Sequence, residues 1–280
     1  MIREIDTKQV ADAVKEMCIG VNYKLSADME QKLSTAAREE VAPLGKKILG
    51  QLLENLEIAE SEQIPICQDT GMAVVFLEVG QDVHFVGAPI EEAINGGVKE
   101  AYEEGFLRKS VVGDPIERVN TKDNTPAVIH YAIVPGNQVK ITVGPKGFGS
   151  ENMSRVFMLK PADGIEGVKN AILTAVKDAG PNACPPMVVG VGVGGTFEKA
   201  AIMAKEALVK HEDEYRPQWA KELEAEMLET INGLGIGPGG LGGSTTALAV
   251  NVRTYPTHIA GLPVAINICC HVNRHMERTI

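Results

Sequence analysis

Seven of the eleven residues from Gly233 to Gly243 (GLGIGPGGLGG) are glycine, and a second cluster, Gly190-Val191-Gly192-Val193-Gly194-Gly195, follows an apolar run. A flexible linker would be richer in serine and other polar residues than either stretch. Glycine lets the backbone approach a ligand closely and take positive φ. Amide groups exposed in that way, and at the start of a following helix, favour anions. Cradling of an anion or a cluster therefore ranks above slack connection. Two nucleotide motifs do not fit. The run from Gly190 to Gly195 matches G-x-G-x-x-G, but a dinucleotide fold needs a second parallel strand ending in an acidic residue ~20 residues on. Here the chain continues into HEDEYRPQWAKELEAEMLETI, which reads as a further helix. The run from Gly233 to Gly243 has no lysine before Ser244, which excludes a P-loop.

With 280 residues the chain can bury a sizeable core, as one large domain or two small ones. Hydrophobic and charged shares of 44% and 23% exclude disordered and fibrous classes. Lys and Arg number 27 against 37 Asp and Glu, a net charge of -10, so neither nucleic acid nor a membrane is an expected partner. An anionic substrate would have to be met by locally gathered positive charge. No apolar run approaches the ~20 residues of a membrane span, and the start, MIREIDTKQV, lacks the apolar stretch of a signal peptide. A cytoplasmic location is expected. Five cysteines with no CxxC pair then read as buried small hydrophobes or as ligands.

The spacing of apolar residues predicts an α+β protein. A helical N-terminal region (1–60) precedes a mixed α/β region with short sheets (61–280), the whole forming one compact domain. Asp6 or Thr7 can cap a helix with Val10, Val14, Met17 and Cys18 on one face, and Ser26 a second with Met29, Leu33 and Ala36. Pro43 suits the first turn of a third, striped by Leu44, Ile48, Leu52 and Leu56. Ala73–Val79 reads as a strand, and 89–105 as a helix ended by Gly105. Val128–Val134 and Gln138–Val143 read as strands joined by a tight turn at Pro135-Gly136-Asn137. Helices are expected over 164–179, 196–211 and 214–232, and strands over Met187–Val193, Thr245–Arg253 and Val264–Ile268.

Cys18 lies on an apolar stripe and reads as core. Cys67, Cys184 and the pair Cys269-Cys270 instead sit where a regular element meets a loop, in contexts rich in polar and turn residues. Their wide separation carries no zinc-finger signature and is compatible with an iron–sulfur cluster without establishing one. Gln68 and Asp69 directly follow Cys67, and Arg274 and His275 follow Cys270 closely. Acid, base and cation near thiols are what a metal-assisted proton-transfer site requires.

IPICQDTG, FLRKSVVGDPIERVNTKDNTPA, KGFGSENMS, NACPP followed by GVGVGG, IGPGGLGGSTTALAV, YPTHIAGLPVAIN and CCHVNRH occur in this order. Together they resemble the class I, iron–sulfur-dependent fumarate hydratases and the related L(+)-tartrate dehydratases, from residue 60 to the end. Because the chain stops soon after Arg274-His275, it resembles an isolated alpha subunit. The resemblance implies an enzyme, a hydro-lyase interconverting fumarate and L-malate. Its 4Fe–4S cluster would be held by Cys67, Cys184 and Cys270, leaving one iron open as a Lewis acid, with Cys269 a packed neighbour. It also implies that Arg108 clamps a substrate carboxylate and that Gly149 offers its backbone N–H to a substrate oxygen. Gln68 and Asp69 would face the open iron, with Asp69 and His258 handling protons and Lys146, Asn124 and Arg274 in reserve. A beta subunit would supply the general base, in an assembly of two alpha and two beta chains or a homo-oligomer of alpha. The alternatives are an L(+)-tartrate dehydratase alpha subunit and a non-catalytic cluster-carrying or scaffolding subunit.

Overall fold

The computed structural model describes residues 2–209 and 217–280. In chain order its elements are β1 (Arg3–Asp6), α1 (Thr7–Tyr23), α2 (Ala27–Glu39), α3 (Pro43–Glu62), β2 (Val74–Gly80), β3 (Val83–Val86), α4 (Ile90–Glu104), β4 (Val128–Val134) and β5 (Val139–Val143). There follow α5 (Phe148–Glu151), β6 (Arg155–Leu159), α6 (Gly164–Ala179), β7 (Met187–Gly194), α7 (Phe197–Val209), α8 (Gln218–Asn232), β8 (Ala247–Tyr255), β9 (Leu262–Cys269) and β10 (Met276–Thr279). The fold is α+β. Of the expected helices over 196–211 and 214–232, positions 210–211 and 214–216 lie outside the described residues. The spacing missed four strands of four or five residues (β1, β3, β6 and β10), each too short for a period of two to stand out.

The chain forms two compact units. The first comprises the residues up to Ser26, Asn55–Gly147 and Arg274–Ile280; the second comprises Ala27–Glu54 and Phe148–Asn273.

In the first unit a four-stranded sheet has the order β10-β5-β2-β4. The expected turn at Pro135-Gly136-Asn137 is present, but it does not make a hairpin. β2 lies between the strands it joins, parallel to β4 and antiparallel to β5. The amides of Gly80, Gln81 and Asp82 donate to the carbonyls of Gln138, Val134 and Gly136 at 2.8, 2.8 and 2.9 Å, so the turn closes over the end of β2. Asp6 caps α1, its carboxylate accepting from the Lys8 amide at 2.9 Å. Val10, Val14 and Met17 of α1 and Ile94, Val98 and Ala101 of α4 pack with Val75, Leu77 and Val79 of β2 into one core.

The second unit is built on a sheet of order β6-β9-β7-β8, with β7 parallel to β8 and antiparallel to β9. Every residue of β7 is buried. Its valines 189, 191 and 193 enter the core formed with α6 and α8. Its glycines point the other way, under α7. A Cβ on Gly190 would lie 2.1 Å from the Ala204 carbonyl oxygen, and one on Gly192 2.1 Å from that of Ala200. The G-x-G pattern is thus the two-residue period of a strand whose second face is covered by helix backbone. On α3 the expected stripe is not the buried face: Leu44 is exposed and Ile48, Leu52 and Leu56 are half-buried, while Leu49 and Ala59, outside the stripe, are buried.

Candidate active site

In the first unit the segment Cys67–Gly71 is fastened from several directions. The buried Arg274 guanidinium (3% exposed) donates from Nη2 to the Asp69 carbonyl at 2.9 Å and from Nη1 to Asn22 Oδ1 at 2.7 Å. The Tyr102 hydroxyl donates to the Gly71 carbonyl at 2.8 Å, and burial pushes its pKa up. Asn124 Nδ2 reaches the same carbonyl at 3.1 Å, while its Oδ1 accepts from the Ser110 and Val111 amides at 2.7 and 3.2 Å. Thr70 Oγ1 accepts from the Arg108 amide at 2.9 Å. Met72 and Lys146 exchange backbone bonds at 3.0 and 2.9 Å.

This network brings together seven of the expected residues: Cys67, Gln68, Asp69 and Arg108, with Asn124, Lys146 and Arg274. Cys67 is half-buried, and its thiol faces Gln68 Oε1 at 3.5 Å. Asp69 is half-buried, with Oδ1 accepting from the Gly71 amide at 3.1 Å. Arg108 is tied by its backbone to Thr70, and its guanidinium is exposed, with no ion pair among the described residues. Arg108, Lys146 and Arg274 thus attach to one short loop, the local positive charge that a chain of net charge -10 needs for an anion. Sequence reasoning missed Thr70 and Tyr102. Nothing in their spacing marks them, because their partners are backbone atoms of distant segments.

In the second unit Cys184 follows a 3-10 turn, Gly180–Ala183, in a left-handed conformation (φ 52°, ψ 63°) and is exposed. A non-glycine residue there is strained and must be held by its surroundings. The His271 amide and ring Nδ1 both meet the Cys184 carbonyl, at 3.5 and 3.0 Å. His271 directly follows Cys270, so the two cysteine segments are tied to each other. Cys269 is buried in β9, opposite Val188 of β7, whereas Cys270 is half-buried just beyond the strand. Gly149, in α5, lies beside the same turn: its nearest neighbour for a Cβ is the Asn182 carbonyl, 3.9 Å away. Packing therefore does not demand glycine at 149, and its φ is not positive. Open space beside the Cys184 turn is what remains to explain it.

The glycine-rich loop supports this end of the unit. The Gly239 amide donates to the Pro185 carbonyl at 2.8 Å, and a Cβ on Gly240 (φ 73°) would lie 2.3 Å from Pro181 Cβ. The loop also cradles an anion, but the anion is the chain's own. Glu40 (1% exposed) accepts from the amides of Val41, Ala42, Ser244 and Thr245 at 2.8–2.9 Å and from the Ser244 hydroxyl at 3.0 Å. Burial works against its charge, yet the hydrogen bonds from Ser244 and Ala42 outweigh it and hold the carboxyl at about 2. Glu40 carried no signal in the sequence beyond closing a helix.

His258 is not brought to these cysteines. It lies in the loop between β8 and β9, exposed, with Nδ1 accepting from the Ala260 amide at 3.1 Å. Cys184 precedes β7 and Cys270 follows β9 at one end of the sheet, while the β8–β9 loop lies at the other. The 8 residues of β7 separate them by about 23 Å. His258 instead borders a cavity of about 730 Å³ with Trp219, Ile165, Leu223 and Ile259. That largely apolar wall does not suit a dicarboxylate.

All five cysteines are thiols rather than disulfides. Burial pushes the Cys18 thiol up to about 12, which disfavours the thiolate a metal requires. Cys67, Cys184 and Cys270 are the three that are not buried, and each ends or interrupts a loop. Among the described residues no three His, Cys, Asp or Glu side chains could hold a single metal ion. A multi-iron cluster asks for a different arrangement, since each thiolate meets its own iron. Among the described residues, buried Arg274 Nε also has no acceptor. Thiols that are not buried are the donor type an iron–sulfur cluster takes.

Comparison with known proteins gives the class. A family model described as fumarate hydratase (fumerase) matches residues 11–279, and the chain belongs to that family. Among its relatives, a Methanocaldococcus jannaschii protein named "Putative L(+)-tartrate dehydratase subunit alpha" is 42% identical over 279 residues, covering 97% of this chain and 98% of that protein. The "L(+)-tartrate dehydratase subunit alpha" of Escherichia coli K12 is 29% identical over 283 residues, covering 98% of this chain and 93% of that protein. Among the described residues no helix is long and apolar enough to cross a membrane.

Proposed function

We propose that this chain is the cytoplasmic alpha subunit of an iron–sulfur hydro-lyase that interconverts fumarate and L-malate. The observation that carries the reading is the fastened Cys67–Gly71 loop, which holds a half-buried thiol and Asp69 and ties to it the backbone of Arg108, whose guanidinium is exposed and without an ion pair among the described residues. Cys67, Cys184 and Cys270 would hold a 4Fe–4S cluster. When bound, the cluster supplies a Lewis acid that stabilises the departing hydroxyl.

The chain's own residues account for binding and orientation. Arg108 meets a substrate carboxylate with two parallel hydrogen bonds, at no cost in broken ion pairs. The Gly149 amide, in the first turn of α5, has no intrahelical acceptor and donates to a substrate oxygen. Asp69 is oriented by the Gly71 amide and the Arg274 grip on its carbonyl, and its carboxylate holds or moves a proton at the hydroxyl. Gln68 accepts from the Cys67 thiol, and on deprotonation its amide can turn to donate to the thiolate. The base that takes the C–H proton would come from a beta subunit, a partner implied by the "subunit alpha" in the relatives' names. His258 has no part in this reading.

Those same names favour a second reading, an L(+)-tartrate dehydratase alpha subunit. Tartrate carries one more hydroxyl than malate, so one added hydrogen bond would discriminate. Anaerobic reconstitution with a partner subunit, then comparison of kcat/KM for malate and tartrate, separates the two. A preference for malate of tenfold or more is expected; the reverse preference makes the chain a tartrate enzyme. Cys67→Ala, Cys184→Ala and Cys270→Ala should each lose the four-iron spectrum, while Cys269→Ala keeps it. Retention in any of the first three would sink the ligand assignment.

A further inference from the structure

β4 is an edge strand of the first unit's sheet, and it lacks the features that normally blunt an edge. It pairs with β2 over seven residues without a bulge, and its sequence, VIHYAIV, contains no proline and no lysine. The opposite edge, β10, is four residues long and carries Glu277 and Arg278. On β4 large apolar side chains are exposed instead: Ile133 by 71%, Tyr131 by 49% and Val128 by 38%.

The direction of the backbone groups is settled by two hydrogen bonds. The Val128 amide donates to the Ala73 carbonyl at 2.9 Å, and the Val134 carbonyl accepts from the Gln81 amide at 2.8 Å. Residues 128, 130, 132 and 134 therefore turn their backbone groups toward β2. Ile129, Tyr131 and Ile133 turn theirs outward, by the alternation of a strand. These are the groups an added strand would bond.

Val-Ile-His-Tyr-Ala-Ile-Val is close to a palindrome about Tyr131. An antiparallel copy related by a two-fold axis at Tyr131 pairs Tyr131 with Tyr131, Ile129 with Ile133 and Val128 with Val134. The three outward-facing residues fall into hydrogen-bonded pairs in that register and in no register shifted by one. Their side chains share the face of Val75, Leu77 and Val79, giving an aromatic pair flanked by isoleucine pairs. We infer that β4 is a self-complementary docking edge whose occupant is a second copy of this chain, joining two four-stranded sheets into one of eight. The contact is isologous, as a closed dimer requires.

The test uses the full chain by sedimentation velocity at moderate salt, which screens its negative charge. A particle of twice the chain mass is expected. Ile133→Lys, which places a charge on an exposed side chain of the edge, should shift it to the monomer with an unchanged circular dichroism spectrum. Ile116→Lys, at a side chain exposed by 87% elsewhere in the unit, should leave the dimer intact. The register has its own readout. Paired Cα atoms about 5.5 Å apart lie within the span of a disulfide, so oxidised Tyr131→Cys should cross-link to itself and Ile133→Cys should not. A monomeric wild type, a dimer that survives Ile133→Lys, or cross-linking by Ile133→Cys instead of Tyr131→Cys would overturn the inference. A monomer that dimerises only with a partner subunit present would mean that another chain fills the edge.

Discussion

A carboxylate that is 1% exposed must be met by donors or carry a proton, and Glu40 is met by the amides that follow it, Val41 and Ala42, and by those that follow the glycine-rich loop, Ser244 and Thr245. Its neighbours leave the space: a Cβ on Gly45 or on Gly243 would lie 2.9 Å from Glu40 atoms. Because its folded pKa of about 2 lies below its ordinary 4.5, its contribution is fully present above 4.5 and is lost as pH falls toward 2. Glu40→Gln should destabilise the protein on the order of 2 kcal/mol at neutral pH. The gap to wild type should narrow when denaturant unfolding is repeated near the lower pKa. A gap that is constant with pH would mean that the carboxylate charge contributes nothing. The same logic, applied in the other direction, leaves Cys18 as a buried thiol and an unsuitable ligand.

At the scale of elements, the crossing of α7 over β7 is as close as backbone allows. Gly192→Ala would set a Cβ 2.1 Å from the Ala200 carbonyl, so the helix must lift from the sheet. We expect a loss of about 2–3 kcal/mol in thermal or denaturant unfolding, with faster hydrogen exchange in α7. Gly96→Ala in α4 is the control. Nothing lies within 4 Å of a Cβ there, so it should be neutral or stabilising by roughly 0.5–1 kcal/mol. Most helices and the longer strands were legible because Asp6, Pro43 and Gly105 mark boundaries and the apolar spacing repeats between them. The short strands were not legible, nor was the insertion of β2 between β4 and β5, since nothing local records which strand a strand pairs with. The stripe on α3 misled for a related reason: spacing shows that a face is apolar and not whether anything covers it.

At the scale of the whole molecule, the proposed chemistry divides between chains. In that proposal this chain would supply thiols, Asp69, Arg108 and the Gly149 amide, and the base would lie on the partner. The reconstituted chain alone should therefore show the four-iron spectrum and substrate-dependent changes in it, with turnover at least a hundredfold below that of the chain plus its partner subunit, consistent with loss of a general base. Full turnover by the chain alone would refute the division.

Sequence alone determined the α+β class, the helix boundaries, the core character of Cys18 and the family, because those rest on local spacing and on motifs read in order. It also named Cys67, Asp69, Arg108, Cys184, Gly149 and Cys270 as a set. Tertiary structure decided which of them meet. It placed Cys67, Gln68, Asp69 and Arg108 on one hydrogen-bonded network and Cys184, Cys270 and Gly149 at one end of one sheet, and it put His258 at the other end. It also gave the glycine loop to Glu40 and the glycines of β7 to α7. These outcomes depend on backbone donors, acceptors and close approaches between segments far apart in the chain, and no residue's identity or spacing encodes them locally.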